Sequence, residues 1–170
     1  MRALSMVLRV GLVVGAWVGL RSADPAAAVL LLSGLLASLL ARLAPPREEL
    51  LFTGGLCGLL ALAALGVLPD HLGGDLVVHG VASALLALVL LRGLLPRTPA
   101  PAARHGLLAL LLVGLVGVAW EGAEALADAW LGTQMSLGAT DTASDLVADL
   151  VGAATVIRLL AASPALGVAA

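Results

Sequence analysis

The sequence predicts an all-α membrane protein, a bundle of six transmembrane helices with both termini in the cytoplasm. The composition is 61% hydrophobic and only 12% charged, whereas roughly a quarter of the residues in a soluble domain are charged. The mean hydropathy is +1.11. Long apolar runs alternate with proline and glycine breaks, and all arginines but one fall on the same side of these runs.

Each apolar run is long enough to cross a bilayer as a helix, which takes about 20 residues. The six expected spans cover approximately residues 4–20, 26–44, 50–68, 75–95, 106–130 and 142–162. The breaks between them contain residues that disfavour a continuous helix, namely Asp24-Pro25, Pro45-Pro46, Pro69-Asp70 with Gly73-Gly74, and the proline-rich stretch 96–101. We therefore expect residues 1–170 to form one integral membrane domain.

The arginines predict the orientation of the bundle. Most lie at the N-terminus, after the even-numbered spans or at the end of span six: Arg2, Arg9, Arg42, Arg47, Arg92, Arg97, Arg104 and Arg158. Arg21 alone falls on the other side. Because positive residues stay in the cytoplasm, both termini are expected there. Trp17, Trp120 and Trp130 lie toward the outer ends of their spans, where this residue is favoured.

The first 28 residues also permit a second interpretation. Two arginines, an apolar core and the small residues 26–28 are features of a signal peptide. The apolar core is long for such a peptide, and Pro25 would lie beside the cleavage site. The five remaining spans would keep the same orientation.

Acidic residues form two stripes in the last two spans: Glu121, Glu124 and Asp128, then Asp141, Asp145 and Asp149. The spacings are i, i+3, i+7 and i, i+4, i+8, so each stripe occupies one helix face. Consecutive antiparallel helices are normally neighbours, so we expect the stripes to face each other. Ionisable residues inside a membrane are costly and usually functional.

Span four adds a third wall to this acidic region. His71, Asp75 and His79 recur at helical spacing, and Ser83 lies one turn further. An aspartate one turn from a histidine is typical of pairs that orient an imidazole or share a metal.

Some of these residues also have structural explanations. Asp141 or Thr142 is a candidate N-cap for span six, and Asp75 is a candidate N-cap for span four. Asp145 is also placed to interact with the first turn of its helix. For these acids, capping is as good an explanation as a functional role.

Other ionisable residues are expected to be solvated helix ends, and they are Asp128, His71 and His105. Glu121, Glu124 and Asp149 differ, because none of them lies where a negative charge would cap a helix. These three need protons, a bound cation or a histidine partner.

The expected site faces outward and contains two overlapping sets of residues. The candidate catalytic residues are Glu121, Glu124, Asp149 and His79. The candidate metal ligands are Glu121, Glu124, Asp145, Asp149, Asp75 and His79. Oxygen ligands suit Mg, Ca or Mn, and a histidine also admits Zn or Fe.

Three functions stay open. The first is a metal-dependent enzyme or binder that acts on a lipid headgroup or a lipid-linked substrate, the second a proton- or cation-coupled carrier, and the third a structural membrane protein without catalysis. Nucleic acid is disfavoured as a partner, because the chain has no lysine, no tyrosine and one phenylalanine. The sequence sets no oligomeric state.

The last spans resemble the YjdF-type bacterial inner-membrane proteins. The stretch WEGAEALADAWLGTQMSLGATDTASDLVADLVGA follows their pattern of an E-x-x-E helix, a GT loop and D-T-x-x-D-x-x-x-D/N-x-x-G-A, and DLVVHG follows their D-x-x-x-H element. A more distant resemblance is to VanZ-like proteins. The residues that match the pattern are Asp75, His79, Glu121, Glu124, Gly132, Thr133, Asp141, Thr142, Asp145, Asp149, Gly152 and Ala153. The resemblance implies a membrane protein but brings no particular reaction.

Overall fold

The computed structural model describes residues 1–22, 24–64, 67–68, 73–95 and 102–162. Across these residues the chain is helical and contains no strand. The six helices are α1 (Arg2–Arg21), α2 (Pro25–Leu40), α3 (Pro46–Ala64), α4 (Gly74–Val89), α5 (Ala102–Leu131) and α6 (Ala139–Ala162). The prediction of six helices is confirmed within the described part of the chain.

The helix ends follow from local sequence. At the start of α2, Asp24 accepts a hydrogen bond of 3.0 Å from the backbone N–H of Ala27, and Pro25 occupies the first helical position. The short 3₁₀ turn Ala41–Leu43 extends α2, and the π-helical turn Leu90–Leu94 extends α4.

Four helices in the described ranges are long and apolar enough to cross a membrane, and they cover Arg2–Arg21, Pro25–Leu43, Gly74–Gly93 and Ala103–Leu131. The other two helices, α3 and α6, carry charged side chains, namely Arg47, Glu48 and Glu49 in α3 and Asp141, Asp145, Asp149 and Arg158 in α6. Many large apolar side chains lie on the outside of the bundle, among them Leu36, Leu115 and Val151 at 62%, 67% and 59% exposure. An apolar exterior of this kind belongs against lipid, so the protein is a multi-pass membrane protein.

The bundle has two apolar cores. One lies between α1, α3 and the end of α4, and includes Leu12, Phe52 and Val89. The other joins α4, α5 and α6, and includes Val113 and Ala153.

Two glycines allow α4 and α6 to approach closely. α4 and α6 make the most extensive helix contact in the described structure. At its centre, a Cβ placed on Gly152 would lie 2.9 Å from the carbonyl carbon of Gly80. The absence of a side chain at Gly152 therefore lets the two backbones touch.

A buried ion pair joins the first three helices at the end opposite α6's acidic turns. Arg9 donates hydrogen bonds to Glu49 Oε1 at 2.8 Å and to the Ser38 carbonyl at 2.6 Å. Arg9 is 5% exposed and Glu49 is 1% exposed. Sequence reasoning used Arg9 as a sign of orientation and as a possible signal-peptide feature, and the structure shows that its hydrogen bonds also join α1 to α2 and α3.

Candidate metal-binding site

Three helices bring the predicted ionisable residues together around His79. α4 supplies Asp75, His79 and Ser83, α5 supplies Glu121 and Glu124, and α6 supplies Asp145 and Asp149. All of these except Asp75 are buried, and Asp145 is only 1% exposed. Asp75 is half-buried.

His79 lies between acids on both sides of its ring. Its Nδ1 is 3.3 Å from Asp149 Oδ1, and that same oxygen accepts a 2.6 Å hydrogen bond from Ser83. A carboxylate behind one ring nitrogen fixes the imidazole orientation and raises the basicity of the other nitrogen. Ser83 and Asp149 therefore hold His79 so that Nε2 points away from them.

The Nε2 atom of His79 faces two further carboxylates. It lies 3.9 Å from Asp75 Oδ1 and 3.9 Å from Glu121 Oε1. Both distances are too long for hydrogen bonds. They leave a gap that a cation could occupy.

One subset of these groups could hold a metal ion. One ligand atom from each of Asp75, His79 and Asp145 lies within 4.8 Å of the others. Nitrogen and oxygen ligands at about 2.1 Å from a shared ion lie no more than about 4.2 Å apart. The 3.9 Å separation of His79 Nε2 and Asp75 Oδ1 already falls within this limit.

Several buried carboxylate oxygens have no hydrogen-bond donor among the described residues. At the candidate site they are both oxygens of Glu121 and Oδ2 of Asp145, and at the other end of the bundle Glu49 Oε2 is a further one. A buried carboxylate oxygen without a partner is costly. At the candidate site a bound cation or a proton would remove that cost, because Glu121 and Asp145 both lie beside His79.

A polar cavity of about 550 Å³ leads to this cluster from the α5–α6 loop. We call it the vestibule, and its polar lining includes Asp24, Asp75, Glu124, Gln134, Asp141, Ser144 and Asp145. Glu124 accepts a hydrogen bond from Trp120 and remains part of this lining. The vestibule therefore gives small polar groups a route to Asp75 and Asp145.

The two predicted N-caps are replaced by glycines. Gly73, with a φ of 76°, caps α4, and Gly138, with a φ of 107°, precedes α6. Both angles lie in the left-handed region that favours glycine. Asp75 therefore stands inside the first turn of α4. Asp141 accepts a 2.9 Å hydrogen bond from the backbone N–H of Leu137 instead of capping its helix.

The residues interpreted as solvated ends have different environments. Asp128 accepts hydrogen bonds from the Thr133 hydroxyl and from the backbone N–H groups of Met135 and Ser136, so it shapes the α5–α6 loop. His105 is 6% exposed, so its interpretation as a solvated loop end was wrong. His71 lies outside the described residues.

Sequence reasoning missed Gly117, which supports the site from α5. A Cβ at this position would overlap Asp149 Oδ2 and lie 3.4 Å from Asp149 Cγ. The carboxylate of Asp149 thus rests against the bare backbone of α5. The sequence did contain one signal for this role. Gly117 lies on the face of α5 that meets the acidic stripe of α6.

We expect Gly117→Ala to displace Asp149 and to loosen the orientation of His79. The matched control is Gly114→Ala one turn earlier, where the new Cβ would make an ordinary 3.6 Å contact with Leu150. NMR of the histidine ring nitrogens would show an altered His79 signal only in the first variant. An unchanged His79 signal in Gly117→Ala, with the protein folded, would contradict this role.

One protein family matches this region of the chain. The family described as predicted membrane protein (DUF2238) matches residues 71–164, which include α4, α5 and α6 with every candidate site residue. The YjdF-type proteins are this family, so that resemblance is confirmed. No curated protein and no solved structure matches the chain. With more than half of its length matched, the chain belongs to the DUF2238 family of predicted membrane proteins.

Proposed function

We propose that the protein binds a divalent cation at His79 and uses it on a phosphate-bearing lipid headgroup or lipid-linked substrate. The observation that supports this proposal best is the arrangement around the imidazole. Asp149 Oδ1 lies 3.3 Å from Nδ1, Asp75 Oδ1 lies 3.9 Å from Nε2, and Asp145 belongs to the same group of potential ligands. Histidine ligands of metals commonly have such a carboxylate behind them.

The proposed roles divide the predicted residues into three groups. Asp75, His79 and Asp145 hold the ion, and Glu121 can add a ligand because it lies 3.9 Å from His79 Nε2. Asp149 positions the imidazole. Glu124 lines the vestibule, where it can exchange protons with a bound substrate.

The donor set and the acidic vestibule fit this chemistry. One nitrogen and several carboxylate oxygens suit Zn or Mn, with Mg or Ca favoured when oxygens dominate. A divalent ion would polarise a phosphate oxygen and activate a water molecule. The carboxylates of the vestibule would repel a bare phosphate, so the ion would also supply the attraction that brings a phosphate headgroup there.

A carrier function has less support. A second cavity, between α2, α3, α4 and α5, continues into the bundle from His79. Its lining consists mostly of leucine, valine and alanine side chains. A path for ions across the membrane needs polar groups or water along its length. We therefore retain ion transport as the alternative and also keep the distant VanZ resemblance as a prediction.

The protein purified without chelator is expected to contain about one divalent ion per chain, as the ligand count suggests. Elemental analysis should show that His79→Ala and Asp145→Asn lower this content, whereas His105→Ala leaves it unchanged. Added metal should raise the melting temperature of the stripped protein. If the purified protein contains no metal and its melting temperature does not change with added Mg, Mn, Ca or Zn, the metal proposal is wrong. Protons shared among the buried carboxylates would then explain how their charge is neutralised.

The proposal places the vestibule outside the cytoplasm, with both termini inside. Gln134 is exposed in the α5–α6 loop and lines the vestibule. In a Cys57→Ala background, a cysteine at position 134 should react with an impermeant thiol reagent in intact cells, and a cysteine at Ala103 should react only after lysis. The reverse pattern would overturn the orientation.

A further inference from the structure

A second cavity of about 390 Å³ lies between α2, α3, α4 and α5. We call it the apolar cavity, because leucine, alanine, valine and phenylalanine side chains form most of its wall. Along α4 the lining extends from Val78 to Leu90, a distance of about 18 Å at the rise of an α-helix. This is more than half of the roughly 30 Å hydrocarbon thickness of a bilayer.

The polar end of the apolar cavity reaches the candidate metal-binding site at His79. His79, Ser83 and Asp149 line it there, together with Trp120. Leu30 and Val78 line both the apolar cavity and the vestibule, so the two spaces adjoin. An elongated ligand could therefore place a polar head in the vestibule and an apolar tail in the apolar cavity.

The apolar cavity also meets the lipid-facing surface of the bundle. Leu40 and Leu43 at the end of α2 are each 61% exposed, and Val116 on α5 is 53% exposed. All three belong to its lining. A molecule dissolved in the membrane can therefore enter between α2 and α5 without passing through water.

We propose that the apolar cavity binds one hydrocarbon chain of an amphiphile whose polar head lies in the vestibule against Asp75 and Asp145. This deepens the proposed function, since it assigns the substrate to the class of single-chain phospholipids and prenyl phosphates. The volume is near the lower end of the roughly 300–1,000 Å³ found for ligand sites. Packed helices are only about 8–10 Å apart, so the space suits one chain. An apolar cavity disfavours water and accepts apolar molecules.

Trp120 provides a direct probe of the apolar cavity. The other two tryptophans, Trp17 and Trp130, are 57% and 79% exposed and can be replaced by phenylalanine. A lysophospholipid with a nitroxide in its chain would then quench Trp120 fluorescence when the chain enters. The titration uses the full-length protein in detergent, once with added Mg²⁺ and once in EDTA, because the vestibule carboxylates would repel a phosphate headgroup when no cation is bound. Saturable quenching in either solution reports entry of the chain, and the comparison of the two separates chain binding from metal binding.

We expect saturable quenching that an unlabelled single-chain phosphate lipid reverses. Ala82→Phe and Ala37→Phe would fill the apolar cavity and raise the half-saturating concentration by about tenfold or more. Ala61→Phe is the matched control, because Ala61 is exposed on α3 and lies outside the lining. Each variant is compared at the same fraction of folded protein, judged by its melting curve.

The competitor identifies the source of the chain. Reversal by lysophosphatidic acid indicates an acyl lipid, and reversal by farnesyl phosphate indicates a prenyl carrier. The protein that keeps Trp120 as its only tryptophan tests the proposal by itself. Quenching that rises without saturation would overturn the proposal, and so would quenching that neither competitor reverses. Equal quenching in folded Ala82→Phe and Ala61→Phe proteins would overturn it as well. Failure of metal binding alone would leave the chain site intact.

Discussion

Replacement of Gly152 by alanine is expected to separate α4 from α6 and to abolish cation binding. The added Cβ would overlap the carbonyl oxygen of Gly80 and lie 3.1 Å from its Cα. Both sides of this contact are backbone, so no side chain can rotate to relieve the overlap. His79 directly precedes Gly80, and Asp149 lies one turn before Gly152. The displacement would therefore act on the two residues that organise the site.

The cost should exceed that of an ordinary overpacked side chain. Extra methyl groups in a packed core destabilise by about 1–3 kcal/mol and sometimes more. For Gly152→Ala we expect about 3 kcal/mol or more, because whole helices must move apart. A lower melting temperature in detergent and loss of bound metal would be measured together.

Gly122→Ala is the matched control for this prediction. Gly122 is an exposed glycine on α5, and a Cβ there would meet nothing within 4 Å. That variant should keep its melting temperature and its metal, or gain slightly from the better helix former. If Gly152→Ala has the melting temperature of the wild type and keeps its metal, the prediction is wrong, and α4 and α6 can tolerate wider spacing.

Much of the fold could be predicted because a membrane simplifies the chemistry. Every backbone polar group in lipid must be satisfied within its own element, so a long apolar run becomes a helix. The helix starts were less predictable. The aspartates at 75 and 141 suggested caps, but the positive φ angles of Gly73 and Gly138 moved both starts upstream. Those angles depend on how the chain enters the bundle.

The site was predicted as a set of residues but not as an arrangement. Helical spacing placed Asp145 and Asp149 on one face of α6, yet it could not show which of them approaches His79 Nδ1. That choice depends on the rotation of α6 against α4, which the contact of Gly152 with Gly80 fixes. Gly117 was missed for the same reason. Its role depends on the Asp149 carboxylate, which lies against it only once α5 and α6 are packed together.

The buried pair of Arg9 and Glu49 was missed because each charge had a simpler local explanation. Arg9 counted toward the positive-inside pattern, and Glu49 lies in the first turn of α3, where acids are common. Their 2.8 Å contact joins residues forty positions apart in the sequence. Spacing within one helix cannot reveal such a partner.

Removal of either member of this pair is expected to destabilise the protein strongly. In Glu49→Leu, the Arg9 guanidinium would stay buried with only the hydrogen bonds to Ser38. Breaking a buried ion pair from one side costs about 3–5 kcal/mol, because the remaining charge is uncompensated. Arg9→Leu should cost somewhat less, since Glu49 is 1% exposed but Arg2 Nε, on a largely exposed side chain, still lies 3.9 Å from its second oxygen.

The double variant separates charge pairing from packing. Replacing both residues by leucine removes both buried charges, so it should restore most of the stability lost by either single change. Arg47→Leu, at an exposed position in the first turn of α3, should have little effect. If the loss of stability in the double variant equals the sum of the losses in the two single variants, Arg9 and Glu49 are not coupled. Because this pair lies at the opposite end of the bundle from His79, the folded double variant should still bind its cation with unchanged stoichiometry.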